Sequence, residues 1–268
     1  MGPSGCVLLA TAAVVAAAAT GGCQARPAQP PPAEASPVTA AAPSATPSAR
    51  PVPPDPRVGA VFAGTDGTHD CTASVLRSEV ADLILTAAHC VTGGGDISFI
   101  AGFADGDDAA AGRPVEAVYL DPRWLENQDP AADFAVARVS RGDGPSLRYV
   151  AGGGLRLGAS PPPGTQVTVV GYAFGVGGGP TACSAATSPA RDGYPMVHCD
   201  GVVAGFSGAP WISGSTVVGV VGGLDGGGCV DEVSYSPPFD GALAALLARA
   251  EAGGPADDPP LAFDDGCD

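Results

Sequence analysis

From residue 57 onward, the chain consists of short apolar runs of five to seven residues, separated by Gly, Pro and Asp. Runs of this length match β-strands better than helices, and Gly and Pro between them mark turns. Many short strands with frequent turns are typical of a sandwich or a barrel. The sequence therefore predicts an all-β domain with strands at 58–63, 71–76, 82–86, 97–101, 114–120, 133–139, 166–171, 195–199 and 216–222.

One stretch, residues 240–250, has the pattern of a helix, with the sequence DGALAALLARA. Asp240 can cap its first amides, and its three leucines lie on one face. The sequence predicts a short C-terminal helix here. The acidic, Pro- and Gly-rich residues 251–268 that follow are expected to be a flexible tail.

The charge of the chain argues against several classes of partner. The formal net charge is -16, and each of the 12 basic residues is an Arg. Such an acidic surface disfavours nucleic acid and anionic membranes and favours cationic substrates. With 45% hydrophobic and 15% charged residues, the chain can form a sizeable core and is not a disordered protein.

The N-terminal residues indicate export. Residues 6–20 form an apolar run of the length found in signal peptides, too short for a comfortable membrane span. The run leads into Thr20-Gly21-Gly22-Cys23, which resembles the lipobox of bacterial lipoproteins and predicts lipidation of Cys23. The alternative is a plain secretory signal that is cleaved after one of the alanines at 16–19. The protein is therefore expected to be secreted or lipid-anchored on the outer face of the membrane.

The folded part of the chain is expected to begin after a spacer. Residues 24–56 contain 11 Pro and show no helical or strand periodicity, which predicts an extended linker. The sequence therefore predicts four parts: a signal peptide at 1–23, the linker at 24–56, a folded domain at 57–250 and the acidic tail at 251–268.

A candidate nucleophile lies in the segment GFSGAP at 205–210, between two β-like runs. The glycines on both sides of Ser207 allow a sharp turn that exposes its hydroxyl. Such a turn can also direct the N–H groups of Gly205 and Ser207 at one point, where they would stabilise an oxyanion. The alternative interpretation is that Ser207 is an ordinary turn residue, because this chain is rich in Gly.

A candidate general base and its partner lie upstream. His89 follows the apolar run LILT within the string TAAHC at 86–90, so a rigid strand would position its imidazole. Asp133 opens the alternating run DFAVARV. Asp129 is a competing candidate, and Asp133 could instead cap a strand start.

These three segments, in the order His, Asp, Ser, resemble the signature segments of the trypsin-like, chymotrypsin-clan serine protease family. The resemblance implies two six-stranded antiparallel β-barrels with a short C-terminal helix. It implies a serine endopeptidase with His89 as general base, Asp133 as its orienting partner and Ser207 as nucleophile, and with Gly205 and Ser207 as oxyanion donors. A monomer that cleaves protein or peptide substrates without a cofactor is expected. The alternative is a non-catalytic binding or scaffold lipoprotein with the same fold.

One departure from the family pattern concerns activation. The family's usual motif has Asp before the serine, where this chain has Phe206, and Ala209 replaces a Gly. In many relatives that Asp receives a new N-terminal amine on activation, which Phe cannot do. Glutamyl endopeptidase-like and HtrA-like relatives also lack the Asp, so the departure does not exclude activity.

The cysteines beyond the N-terminal region fit a disulfide framework. The family resemblance implies a pair between Cys71 and Cys90, and a bridge between Cys183 and Cys199 is expected just before the nucleophile. Cys229 and Cys267 remain and pair by elimination. Because no CxxC or paired-His spacing occurs, no metal site is predicted.

Substrate preference is weakly encoded. The resemblance implies a specificity pocket walled by the segment before Ser207 and by residues 221–228. Asp200 lies close to the position that makes trypsin specific for Arg and Lys, with an offset of one residue. It could equally be a solvated loop acid.

Overall fold

A computed structural model describes residues 46–230, 232–264 and 266–267. The predicted signal peptide, Cys23 and most of the linker lie outside the described residues. The first seven strands are β1 Arg50–Pro51, β2 Val58–Ala63, β3 Thr68–Val75, β4 Leu83–Thr86, β5 Ile97–Ala101, β6 Arg113–Leu120 and β7 Ala135–Val139. The others are β8 Arg156–Leu157, β9 Gln166–Gly171, β10 Gly175–Val176, β11 Thr181–Arg191, β12 Tyr194–His198, β13 Pro210–Ser213, β14 Thr216–Val220 and β15 Val233–Tyr235.

The N-terminal half forms a closed six-stranded barrel. The strands pair in the order β3, β2, β5, β6, β7 and β4, and β4 pairs back with β3. β10 adds to β3 at the edge. Inward-facing apolar residues fill the barrel because alternate positions of each strand point to one face. Among these buried residues are Val61, Ala73, Val75, Ile84, Phe99, Ala137 and Val139.

The C-terminal half forms a second sheet in the order β15, β12, β11, β9, β13, β14 and β8, with β1 paired to β11. Its apolar face packs around Trp211, Phe206 and the bridge between Cys183 and Cys199. The expected all-β fold with a C-terminal helix is confirmed. The second half differs from a closed six-stranded barrel, since no strand pairing joins the two ends of this sheet among the described residues. Its end strands, β8 and β15, have two and three residues, too few for a closing ladder.

The helices are short and peripheral: α1 Pro122–Asn127, α2 Leu147–Val150 and α3 Gly241–Glu251. The helix predicted at 240–250 is thus confirmed as α3. Asp240 accepts a hydrogen bond from the Ala242 amide at 2.8 Å, and Leu243 and Leu246 are buried. None of the helices in the described part is both long and apolar enough to cross a membrane.

Three disulfides cross-link the domain: Cys71–Cys90, Cys183–Cys199 and Cys229–Cys267. The first two are buried, whereas both cysteines of the third are exposed.

The residues after α3 differ from the expected flexible tail. Asp257 forms an ion pair with Arg249, and its carboxylate accepts a hydrogen bond from the Leu120 amide at 2.8 Å. The Asp257 amide donates to the carbonyl of Val118 at 2.9 Å, so the tail runs along β6. Leu120 and Val118 lie more than a hundred residues upstream of the tail, which is why local composition could not reveal these contacts.

Candidate active site

His89 and Asp133 meet because two adjacent strands carry them. Thr86, the last residue of β4, pairs with Ala135, the first residue of β7. The segment after β4 and the segment before β7 therefore lie side by side. Nδ1 of His89 lies 2.8 Å from Oδ2 of Asp133, and the His89 amide donates to Oδ1 at 3.0 Å. A carboxylate only accepts hydrogen bonds, so Nδ1 carries the proton and Nε2 is left as the basic atom.

Asp133 is fully buried and held as a carboxylate. The amide of Gly223 donates to its Oδ2 at 2.8 Å, in addition to the two bonds from His89. Burial raises the pKa of Asp133, but the charge of His89 and these hydrogen bonds outweigh it and hold the pKa below its usual value. A Cβ on Gly222 would lie 2.9 Å from Oδ2, so a side chain there would crowd this carboxylate. Gly223 was considered from sequence only as a wall of the specificity pocket.

Ser207 is half-buried in a turn between β12 and β13. Gly205 has φ +93°, and a Cβ there would lie 2.2 Å from the Phe174 nitrogen, so only Gly fits this position. The amides of Phe206, Gly208 and Ala209 donate within the protein. The amides of Gly205 and Ser207 make no such bond to any described residue, so both are available to a bound group. Ser207 and His89 line one cavity of about 500 Å³ together with Gly226, Phe263 and Asp264.

Thr72 holds this turn and was missed from sequence. Its amide donates to the carbonyl of Ser207 at 2.8 Å, and its Oγ1 donates to the carbonyl of Gly205 at 2.9 Å. Thr86 in turn donates to the carbonyl of Thr72 at 2.8 Å. A strand of the barrel thus fixes the serine turn that the second sheet carries. Nothing distinguishes Thr72 from other strand threonines in the sequence.

Phe206 is completely buried between the serine turn and β9. A Cβ on Gly171 would lie 2.5 Å from its ring, so the ring packs directly on the β9 backbone. Trp211, Val169 and Cys183 belong to the same apolar cluster. The Phe206 ring therefore fills apolar space between the serine turn and the second sheet.

A second cavity of about 350 Å³ opens beside Ser207. The segment 202–205 and the segment 225–230 form most of its lining, as expected for a specificity pocket. Asp200 is not among the lining residues; it is exposed and lies against Ser48, which fits the solvated-loop interpretation. The acids that do line this cavity are Asp70 and Asp225. Burial raises the pKa of Asp70, one of whose carboxylate oxygens is buried without a hydrogen-bond partner among the described residues.

The C-terminal residues reach the same place. The ring of Phe263 stacks on the imidazole of His89, with centroids 4.9 Å apart and planes 13° from parallel. Phe263 also contacts Trp124 of α1, with ring centroids 5.3 Å apart. The side chain of His89 is 11% exposed to solvent. No sequence pattern marked Phe263, because it is a single aromatic residue in an acidic tail.

A closed barrel joined to a second sheet, with a His–Asp pair and a serine turn at one cavity, defines the class of chymotrypsin-like folds. The chain belongs to the trypsin-like peptidase family, since the profile described as "Trypsin-like peptidase domain" matches residues 71–222. The matched segment includes His89, Asp133 and Ser207.

Solved structures agree with this fold. The protease Anisep from Arthrobacter nicotinovorans is 20% identical, with a TM-score of 0.65 over 76% of this chain and 99% of that chain. A Glu endopeptidase is 17% identical, with a TM-score of 0.62 over 76% and 97% of the two chains. Human heparin binding protein is 16% identical, with a TM-score of 0.57 over 79% and 98%. No curated protein matches the sequence significantly.

Proposed function

We propose that this protein is a serine endopeptidase, with Ser207 as nucleophile, His89 as general base and Asp133 as its orienting group. The observation that carries the proposal is the buried Asp133 carboxylate, bonded to both the amide and Nδ1 of His89, beside a cavity that His89 shares with Ser207. An arrangement that fixes the tautomer of one imidazole beside a serine turn is what acyl transfer requires.

In the first half of the reaction, Oγ of Ser207 attacks the scissile carbonyl carbon while Nε2 of His89 takes its proton. The Asp133 carboxylate stabilises the resulting imidazolium, and the amides of Gly205 and Ser207 donate to the oxyanion. The C–N bond then breaks, and His89 gives its proton to the leaving amine. Water hydrolyses the acyl-enzyme with His89 as base again.

The charge of the site favours neutral or cationic substrate side chains over acidic ones. Among the described residues, Asp70 and Asp225 are the only charged ones that line the cavity of about 350 Å³ beside Ser207. The formal net charge of -16 acts in the same direction over longer distances. The likeness to a Glu endopeptidase therefore does not extend to a proposed preference for Glu.

A binding protein without catalysis is the second candidate. It is favoured by the stacking of Phe263 over His89, which restricts access to the base. The similarity to human heparin binding protein shows a shared fold and does not assign heparin binding to this chain.

A fluorophosphonate probe distinguishes the two candidates, because it reacts only with a serine that a base activates. We expect covalent labelling of the wild type, located to Ser207 by peptide mass spectrometry. The Ser207→Ala variant and the heat-denatured wild type serve as controls and should remain unlabelled. A folded wild type that stays unlabelled would favour the binding protein.

Export is supported by the three disulfides, which are typical of oxidising, extracytoplasmic compartments. We further propose that Cys23 is lipidated. The wild type should then partition into the detergent phase, and Cys23→Ala should release the protein into the medium. A soluble wild type whose N-terminus is not residue 23 would leave the plain secretory signal as the explanation.

A further inference from the structure

The residues after α3 form a strap, defined here as residues 257–264 together with 266–267. Asp257 anchors its start through Arg249 and the Leu120 amide. Further along, the carbonyl of Pro260 accepts from the Gly93 amide at 2.8 Å, and the carbonyl of Ala262 accepts from Gln128 at 2.5 Å. The strap is therefore hydrogen-bonded along its length to segments that follow His89 in the sequence, at Gly93, Leu120 and Gln128.

The far end of the strap is covalently attached to the other side of the cleft. Cys267 is bonded to Cys229, which follows the Gly-rich segment 225–228. Both cysteines line the cavity of about 350 Å³ that Ser207 also lines. The strap thus crosses from the barrel to the wall of the candidate specificity pocket and is fixed at both ends.

Between these ends the strap occupies space beside the reactive pair. Phe263 covers one face of the His89 ring, and Phe263 and Asp264 line the cavity that contains Ser207 and His89. A peptide whose carbonyl reaches Ser207 must also pass this imidazole. A substrate side chain next to the scissile bond would compete with the Phe263 ring for the face of the His89 imidazole that Phe263 covers.

We infer that the strap is an autoinhibitory lid, held shut by the disulfide Cys229–Cys267, that restricts extended peptides but not small reagents. This inference rests on the proposed function and adds its regulation. The disulfide is suited to opening, because it is the exposed one of the three in the described structure, whereas the other two are buried.

Opening requires a dithiol reductant. One thiolate of the dithiol attacks a sulfur of the Cys229–Cys267 bond and forms a mixed disulfide. The second thiolate closes the dithiol into a cyclic disulfide. The protein gains two electrons and two protons as two thiols, and the dithiol is oxidised by the same amount.

The test compares peptide hydrolysis with fluorophosphonate labelling in the wild type, Phe263→Ala and Leu261→Ala. Leu261 is the matched control, because it lies in the strap but is 85% exposed. We expect Phe263→Ala to raise kcat/KM for a hexapeptide substrate about five- to tenfold, the change expected when one aromatic contact is lost. Leu261→Ala should change it less than about twofold, as for other exposed positions. The labelling rate should be nearly equal in all three proteins.

Mild treatment with dithiothreitol provides a second arm. Alkylation and mass spectrometry should show that Cys229 and Cys267 react first. Reduction should activate the wild type towards the hexapeptide and add little to Phe263→Ala, because both changes release the same contact.

Unchanged or lower hexapeptide hydrolysis by Phe263→Ala, with normal labelling, would overturn the lid and make Phe263 a fixed wall of the substrate site. Absence of labelling in all three folded proteins would instead refute the proposed function. The two failures are therefore distinguishable.

Discussion

Replacing Ser207 with Ala is expected to lower kcat for peptide hydrolysis about a million-fold, because the nucleophile of the acyl transfer is lost. The fold should persist, since the bonds that hold the serine turn use the main chain. The Ser207 carbonyl accepts from Thr72, and the flanking amides of Phe206 and Gly208 donate to Val203 and Val221. The measurement is kcat on a peptide found by library profiling, together with the thermal unfolding temperature.

Ser215→Ala is the matched control, because Ser215 is exposed in the turn between β13 and β14. It should keep wild-type activity. Asp133→Asn should lose activity about 10⁴-fold, since an amide at this position favours the wrong imidazole tautomer. Retention of even a tenth of the activity by a pure Ser207→Ala preparation would rule out Ser207 as the nucleophile.

The elements that sequence predicted well are those whose signal is local. The runs at 58–63, 97–101 and 166–171 coincide with β2, β5 and β9. Each is a short, mostly apolar run bounded by turn residues, which is a local signal. The helix α3 was equally predictable, because its cap, leucine face and end lie within a dozen residues.

The longest strand was missed for a physical reason. β11, TACSAATSPAR, alternates buried and exposed positions, but its buried residues are Cys183, Ala185 and Thr187. β11 is held in the sheet by main-chain pairing with β9 and β12, which does not depend on the size of these side chains. Apolar periodicity cannot detect a strand whose inward side chains are this small.

The candidate site was only partly predictable for a related reason. Sequence gives the residue types and order of His89, Asp133 and Ser207, because each lies in a local motif. It does not give Thr72, Gly223 or Phe263, which reach the site through pairing of distant segments. The contact between Phe263 and His89 joins residues far apart in sequence and depends on the ordered strap.

Phe206 determines whether this chain could use an amine-driven activation switch. It is completely buried, and its ring packs against Gly171 and Trp211. Val58 opens β2, where its amide donates to the carbonyl of Asp55 at 2.9 Å. The chain upstream also pairs into the second sheet through β1. A free ammonium at Val58 would find no carboxylate at position 206, and burying it unpaired would cost several kcal/mol.

Phe206→Asp is therefore expected to harm the protein. It removes a buried ring and buries a carboxylate without a partner, so the free energy of unfolding should fall by about 4 kcal/mol or more. In a domain of this size that lowers Tm by about 8–16 °C. Activity should fall as well, because Phe206 lies within the serine turn and its packing holds the turn against β9. Phe206→Leu is the matched control and should cost about 1–1.5 kcal/mol while retaining most activity. The measurements are Tm and kcat/KM of both variants.

A complementary test compares the activity of proteins that begin at different residues. Proteins beginning at residues 50, 57 and 58 should have kcat/KM values within about twofold of one another per folded molecule, because Phe206 offers no carboxylate to a free amine at Val58. The starts at 57 and 58 both lack Asp55 and lose its ion pair with Arg57, so their Tm should fall slightly relative to the start at 50 while their activity persists. A tenfold or larger jump in kcat/KM confined to the Val58 start, on the order of 1.4 kcal/mol, would contradict this account. It would show that an acid elsewhere receives the amine, and Asp225, which lines the cavity beside Ser207, would be the first candidate to substitute.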